Sequence, residues 1–144
     1  MPAGYQGPTE SRMSRLVKAS LRRNRLRVEP IQSHRSADDQ CPNRFLVSLP
    51  GGRRGSYHPD FCVSSWFWIE VKSGVGYNLE TLYRIAGAAK QAGKRYLVVC
   101  DRAFARAWKR WMKELPACSR AHVRLLVFPD EEEDLLRMLR RKRG

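Results

Sequence analysis

Apolar residues near the start of the chain recur with helical spacing. Met13, Leu16, Val17 and Leu21 fall at i, i+3, i+4 and i+8, which predicts one buried stripe of an amphipathic helix. Its other side carries Arg12, Arg15, Lys18, Arg22 and Arg23. Thr9 stands where an N-cap belongs, Glu10 in the first turn, and Asn24 is a stop signal. Residues 25–29 alternate basic and apolar, as a short strand does, and the polar residues 32–43 predict a loop. Residues 45–49 predict a strand closed by the turn Pro50-Gly51-Gly52, which Arg53-Arg54-Gly55 extends. Two further strands are expected over 57–63 and 66–72, joined at Ser64-Ser65.

In the second half, Leu79, Leu82, Tyr83, Ala86, Ala89 and Ala92 mark a helix over 79–94, with Asn78 as N-cap, Glu80 in its first turn and Gly93 at its end. The continuous apolar run 96–100 reads as a buried parallel strand. Asp101 caps a helix over 102–115, which Pro116 ends, and 123–128 predicts another strand. Residues 130–134 form an acidic first turn for a last helix. Arg137, Arg140, Arg141, Lys142 and Arg143 load its other end, a polarity that matches the helix dipole. The order predicts an α/β fold with a mixed β-sheet flanked by helices: an N-terminal helix, an antiparallel β-meander, a right-handed crossover helix and a further strand. Residues 1–8, with Pro2, Gly4, Gly7 and Pro8, read as a flexible arm and 9–144 as one domain.

Charge narrows the classes. Lys and Arg number 28 against 14 Asp and Glu, a net charge of +14 over 144 residues, so the expected partner is a polyanion. The longest apolar stretch, 61–71, is interrupted by Ser64, Ser65 and Glu70, so no membrane span is expected. The first residues lack a basic segment followed by an apolar one, so no secretory signal is expected. Cys41, Cys62, Cys100 and Cys118 form no CxxC pair, which argues against a zinc ribbon and fits reduced thiols in the cytoplasm. Cys62 and Cys100 read as buried strand thiols.

The candidate chemistry is Glu70-Val71-Lys72. On a strand Glu70 and Lys72 share one face, while Phe67, Ile69 and Val71 face a core on the other, leaving Trp66 and Trp68 on the first. A carboxylate and an ammonium at the end of an apolar strand are costly unless paired or used. A hairpin folding near Ser64-Ser65 brings Asp60 level with Glu70, so two carboxylates and a lysine converge. Such a set suits a hard cation such as Mg²⁺, with the Val71 carbonyl as a further ligand. A metal there polarises a phosphate and acidifies a bound water, and Lys72 stabilises the developing charge or holds the water.

The run Tyr57-His58-Pro59-Asp60-Phe61, followed by Ile69-Glu70-Val71-Lys72-Ser73-Gly74, resembles the PD-(D/E)XK nuclease superfamily. Within it, the pattern is similar to phage endonuclease I-type Holliday-junction resolvases and to transposon-end-nicking transposase subunits. The resemblance covers residues 9–100. It implies a restriction-endonuclease-like fold, an Mg²⁺ cofactor for which Mn²⁺ substitutes, and catalysis by Asp60, Glu70 and Lys72. It also implies a helix glutamate completing the metal shell, a place Glu10 occupies; a dipole-complementing acid is the other role open to Glu10. The stretch between Glu10 and Asp60 is longer than in the phage enzymes.

DNA contacts are expected from Arg12, Arg15, Lys18, Arg22, Arg23, Arg53, Arg54, His58 and Lys90. Residues 12–27 hold seven positive charges and no acid, a pattern that favours phosphates. Lys90 and Gln91 lie where related nucleases carry a further polar site residue. Trp66, Trp68, Trp108 and Trp111 read as core or interface, with base stacking as the alternative. The helix over 102–115 is a candidate homodimer interface. The expected activity is Mg²⁺-dependent DNA endonuclease, of resolvase type or in transposon-end or phage DNA processing. A toxin or effector nuclease domain and a non-catalytic DNA-binding module are the alternatives.

Overall fold

The computed structural model describes residues 8–30, 45–63, 67–75, 79–111, 113 and 123–140. Helix α1 (Pro8–Arg23) leads to strand β1 (Val28–Pro30). Then come β2 (Phe45–Ser48), β3 (Arg54–Tyr57), β4 (Phe61–Val63) and β5 (Phe67–Lys72). Helix α2 (Leu79–Ala92), β6 (Tyr96–Cys100), α3 (Arg102–Trp111), β7 (Leu125–Val127) and α4 (Glu132–Leu139) complete the described elements. Among these residues the arrangement is mixed α/β. A five-stranded sheet runs in the order β1-β4-β5-β6-β7, and β2 and β3 form a separate two-stranded ribbon. The pairs β1–β4 and β4–β5 are antiparallel; β5–β6 and β6–β7 are parallel.

The apolar runs of β5 and β6 place them at the centre, buried at every position. Alternation along the strands then sorts their side chains into two layers. Phe67, Ile69, Val71, Leu97 and Val99 pack against Met13, Val17 and Leu21 of α1 and Leu135, Leu136 and Leu139 of α4. On the other face Trp68, Tyr96, Val98 and Cys100 meet Leu82, Ile85 and Ala89 of α2, Phe104 and Trp108 of α3, and Phe45 and Val47 of the ribbon. The ribbon lies close on α2 because Gly87 has no side chain; a Cβ there would stand 2.9 Å from Val47 Cγ1.

Several elements depart from what the sequence predicts. α1 begins at Pro8, so Thr9 lies inside the helix rather than capping it. Proline suits a first helical turn, where no N–H is needed. Leu16 is 53% exposed; the buried stripe is Glu10, Met13, Ser14, Val17, Ser20 and Leu21. Small serines let α1 approach its neighbours, and Ser20 Oγ donates to Glu132 Oε2 of α4 at 2.6 Å.

The run 57–63 is not one strand. Tyr57 ends β3 opposite Phe45, and Phe61 begins β4 opposite Ile69. Pro59 lies between them and has no N–H for a ladder. The expected single meander is therefore divided between two sheets, and 45–48 pairs with β3 outside the main sheet.

Other boundaries shift. β1 starts at Val28, after a turn in which Arg25 has a φ of +64°. α2 ends at Ala92, where Gly93 at φ +62° enters a short 3-10 turn; Leu79 is exposed and Ile85 buried. α3 ends at Trp111, β7 is confined to Leu125–Val127 and α4 starts at Glu132. The arm over 1–7, the loop 32–43, Cys41, Ser64, Ser65, Trp66, Asn78, Pro116, Cys118, Arg141, Lys142 and Arg143 lie outside the described residues. Among those described, no helix is long and apolar enough to cross a membrane.

Candidate metal centre

The pairing of Phe61 with Ile69 makes Asp60 the next residue on β4's side, level with Glu70. The Asp60 N–H donates to the Ile69 carbonyl at 3.0 Å, and there the ladder stops. β5 runs on for Glu70, Val71 and Lys72. Val71 N–H, left without a strand partner on that side, donates instead to Asp60 Oδ2 at 2.6 Å. Lys72's carbonyl points the other way and accepts from Asp101 N–H at 3.3 Å. Peptide directions alternate along a strand, so Val71's carbonyl opens toward the side of Asp60.

Glu10 arrives from the first turn of α1 and meets Lys72 where β4 has ended. Its Oε1 is 3.9 Å from Lys72 Nζ, and Glu70 Oε1 is 3.6 Å from the same nitrogen. Carboxylate oxygens of Glu10, Asp60 and Glu70 all lie within 4.8 Å of one another. Glu10, Glu70 and Lys72 are 7%, 2% and 8% exposed. Glu10 and Glu70 flank the Lys72 ammonium, and with Asp60 beside them the carboxylates outnumber the single lysine in a largely dry space. Burial, and next the nearby Asp60 carboxylate, push the Glu70 carboxyl well above its ordinary range, with Lys72 pulling the other way. Burial alone would lower the Lys72 ammonium, but Glu70, Glu10 and Asp60 outweigh it and its pKa is raised.

This donor set fits a hard divalent cation. All three side chains offer oxygen, and their charge exceeds what Lys72 neutralises. A Mg²⁺ ion spans about 4.2 Å between opposed oxygen ligands and keeps several waters. A spread within 4.8 Å thus suits direct carboxylates with the remaining contact through water.

Further side chains support this cluster, Tyr57 from within the motif and Tyr96 and Asp101 from beyond it. Tyr96 O–H donates to Glu70 Oε2 at 3.4 Å, and the Tyr57 ring lies 5.9 Å from Lys72 Nζ. Both phenols have raised pKa values, by burial first and Glu70 second. Asp101 caps α3 by accepting from Phe104 N–H at 2.8 Å, and it also accepts from Gly74 N–H at 3.1 Å. One carboxylate thereby fixes the chain just after Lys72. The sequence signals only the cap, because the Gly74 contact spans the β5–β6 crossover.

The expected DNA-contact residues fall into different places. Arg12, Arg15, Arg22 and Arg23 are exposed on one face of α1 that also carries Leu16 and Ala19. Lys18 is half-buried with its ammonium 5.3 Å from the Phe61 ring centre, so it packs on the fold. Arg53 reaches Glu80 Oε2 at 3.4 Å and the Pro50 carbonyl at 3.3 Å, while Arg54 is exposed. His58 is exposed on the crossing from the ribbon to the sheet. Lys90 is exposed near the C-terminal end of α2. Gln91 serves the ribbon, its amide donating to the Leu46 carbonyl.

Trp68 and Trp108 are buried, which closes them to base stacking. Trp111 packs edge-on to Phe104, with centroids 5.5 Å apart. The apolar face of α3 packs into this chain's own core. The helix instead exposes Arg106, Lys109 and Arg110, a basic face the tryptophans obscured in the sequence. Cys62 and Cys100 are buried thiols, and burial pushes Cys100 up to about 12.

Comparisons with protein-family models, with curated proteins and with solved structures find no match to this chain.

Proposed function

We propose that the protein is a divalent-metal-dependent DNA endonuclease of the PD-(D/E)XK type, with Asp60, Glu70 and Lys72 as its catalytic set and Glu10 completing the metal shell. One observation carries this reading: carboxylates from α1, the start of β4 and the end of β5 lie within 4.8 Å of one another, and those of Glu10 and Glu70 stand 3.9 and 3.6 Å from the amine of Lys72. The order of parts supports a restriction-endonuclease-like arrangement. An N-terminal helix packs on the sheet, the acid and the Glu-x-Lys triplet sit on adjacent antiparallel strands, and α2 crosses to a parallel neighbour.

Asp60, Glu70, Glu10 and the Val71 carbonyl would hold Mg²⁺ or Mn²⁺, which when bound polarises a phosphate and makes a coordinated water more acidic. Lys72 keeps its proton because the carboxylates around it stabilise the ammonium. It neutralises charge developing on the phosphate or orients the attacking water. Asp60 is anchored by Val71 N–H, which fixes the direction of its carboxylate. Arg12, Arg15, Arg22 and Arg23 run from Glu10 along α1 and supply phosphate contacts, in keeping with the net charge of +14.

The test is a cleavage panel with Mg²⁺ or Mn²⁺: four-way junction, flap, linear duplex, nicked duplex and single strand. Metal-dependent cutting of any of these supports the reading, and its pattern defines the DNA form. No cutting of any substrate in either metal contradicts it.

A further inference from the structure

We infer that Tyr57 is a positioning residue for Glu70: its hydroxyl is the donor that steadies this carboxylate for a divalent cation. The inference rests on the metal-dependent reading above. Tyr57 ends the ribbon opposite Phe45 and stands three residues before Asp60. Its ring faces the ammonium of Lys72, 5.9 Å away. Its hydroxyl oxygen is sealed from solvent and, among the described residues, has no hydrogen-bond partner. A buried hydroxyl in that state lowers stability, and a phenylalanine would fill the same space without the loss. The polar side chains whose charge bears on it are Glu70 first, then Tyr96 and Asp60.

Glu70 is loosely held for a buried carboxylate. Oε1 lies 3.6 Å from Lys72 Nζ, and Oε2 takes one long bond, 3.4 Å, from Tyr96 O–H. A carboxylate offers about four acceptor positions, so Oε2 has room for a second donor. Ligating carboxylates elsewhere depend on such outer hydrogen bonds to fix their direction. Among the described residues Tyr57 O–H makes no hydrogen bond of its own, and Glu70 is the carboxylate whose charge bears on it most. Glu70 drawn toward a bound cation would give that O–H its acceptor, and the cost of the unpaired hydroxyl in the metal-free protein would become a gain in the loaded one.

The experiment is Mn²⁺ titration by calorimetry of the full chain, wild type and Tyr57→Phe, with metal-free melting temperatures alongside. The expected result is an Mn²⁺ Kd weakened about tenfold or more in Tyr57→Phe, the usual scale for losing an outer hydrogen bond. The metal-free melting temperature should be unchanged or higher. Raised Mn²⁺ should restore the variant's cleavage rate, which a purely structural defect would not allow. Equal Mn²⁺ affinity in the two proteins overturns the role of Tyr57 and leaves the metal centre standing. Absence of saturable Mn²⁺ binding to the wild type overturns the metal reading itself, and this inference with it.

Discussion

Asp60 Oδ2 accepts the main-chain N–H of Val71 at 2.6 Å, so a single carboxylate both ends the β4–β5 ladder and faces the acidic cluster. Two substitutions separate these roles. Asp60→Asn keeps an oxygen for Val71 N–H and loses the charge; its melting temperature should stay near wild type while cleavage disappears. Asp60→Ala leaves a buried N–H unpaired, at about 1–3 kcal/mol, and should lose both cleavage and stability in thermal or denaturant unfolding.

Glu70 sets a pH dependence whose sign follows from its raised pKa. The folded protein binds this proton more tightly than the unfolded chain. The associated stability is present below the ordinary carboxylate range and is lost as pH rises through the elevated value. The metal-free melting temperature should therefore fall as pH rises across that window. Glu70→Gln should flatten this dependence and be more stable than wild type at its upper end. Added Mn²⁺ should raise the wild-type melting temperature most at that upper end, where the carboxylate is charged, and leave Glu70→Gln nearly unmoved.

The exposed arginines of α1 predict a salt signature. Replacing Arg12, Arg15 and Arg22 by Ala should flatten the slope of log K against log salt by roughly one for each phosphate no longer neutralised. Lys18→Ala should leave that slope unchanged and lower the melting temperature instead, because its amine packs over Phe61. An unchanged slope in the triple variant would move the DNA surface to the basic face of α3.

Asp101→Ala removes the α3 cap and the Gly74 tie together. Loss of the cap alone costs about 0.5–2 kcal/mol. The added freedom of the chain after Lys72 should lower the cleavage rate at saturating Mn²⁺ while DNA affinity stays near wild type. Stability by denaturant and single-turnover kinetics check the two halves.

The sequence made the central elements legible because their signals are local. The apolar runs of β5 and β6 and the helical stripes of α1 and α2 needed no knowledge of the rest of the chain. The meeting of Asp60 with Glu70 was also legible, since a hairpin between them restricts their register. What it hid depended on distant partners. The break at Pro59 looks like strand continuity until β2 is seen to capture β3. Leu16 satisfies a helical stripe, yet the surface opposite α1 is contacted by Met13, Val17 and Leu21 and by two small serines. Tyr96 and Asp101 join the site only through the parallel pairing of β5 with β6. The tryptophans of α3 read as core or interface, and the fold puts Trp108 in the core with Trp111 packed against it.

The most direct measurement is the single-turnover cleavage rate of labelled DNA by wild type, Asp60→Asn, Glu70→Gln and Lys72→Ala. Each should be assayed in Mn²⁺ and in EDTA, with DNA binding followed in the same samples. Wild type should cut in Mn²⁺ and be silent in EDTA. Each variant should bind DNA and lose at least about a thousandfold in rate, roughly 4 kcal/mol of transition-state stabilisation. Cutting by wild type in EDTA, or a near wild-type rate in Asp60→Asn or Glu70→Gln, would contradict a metal-dependent centre at this site.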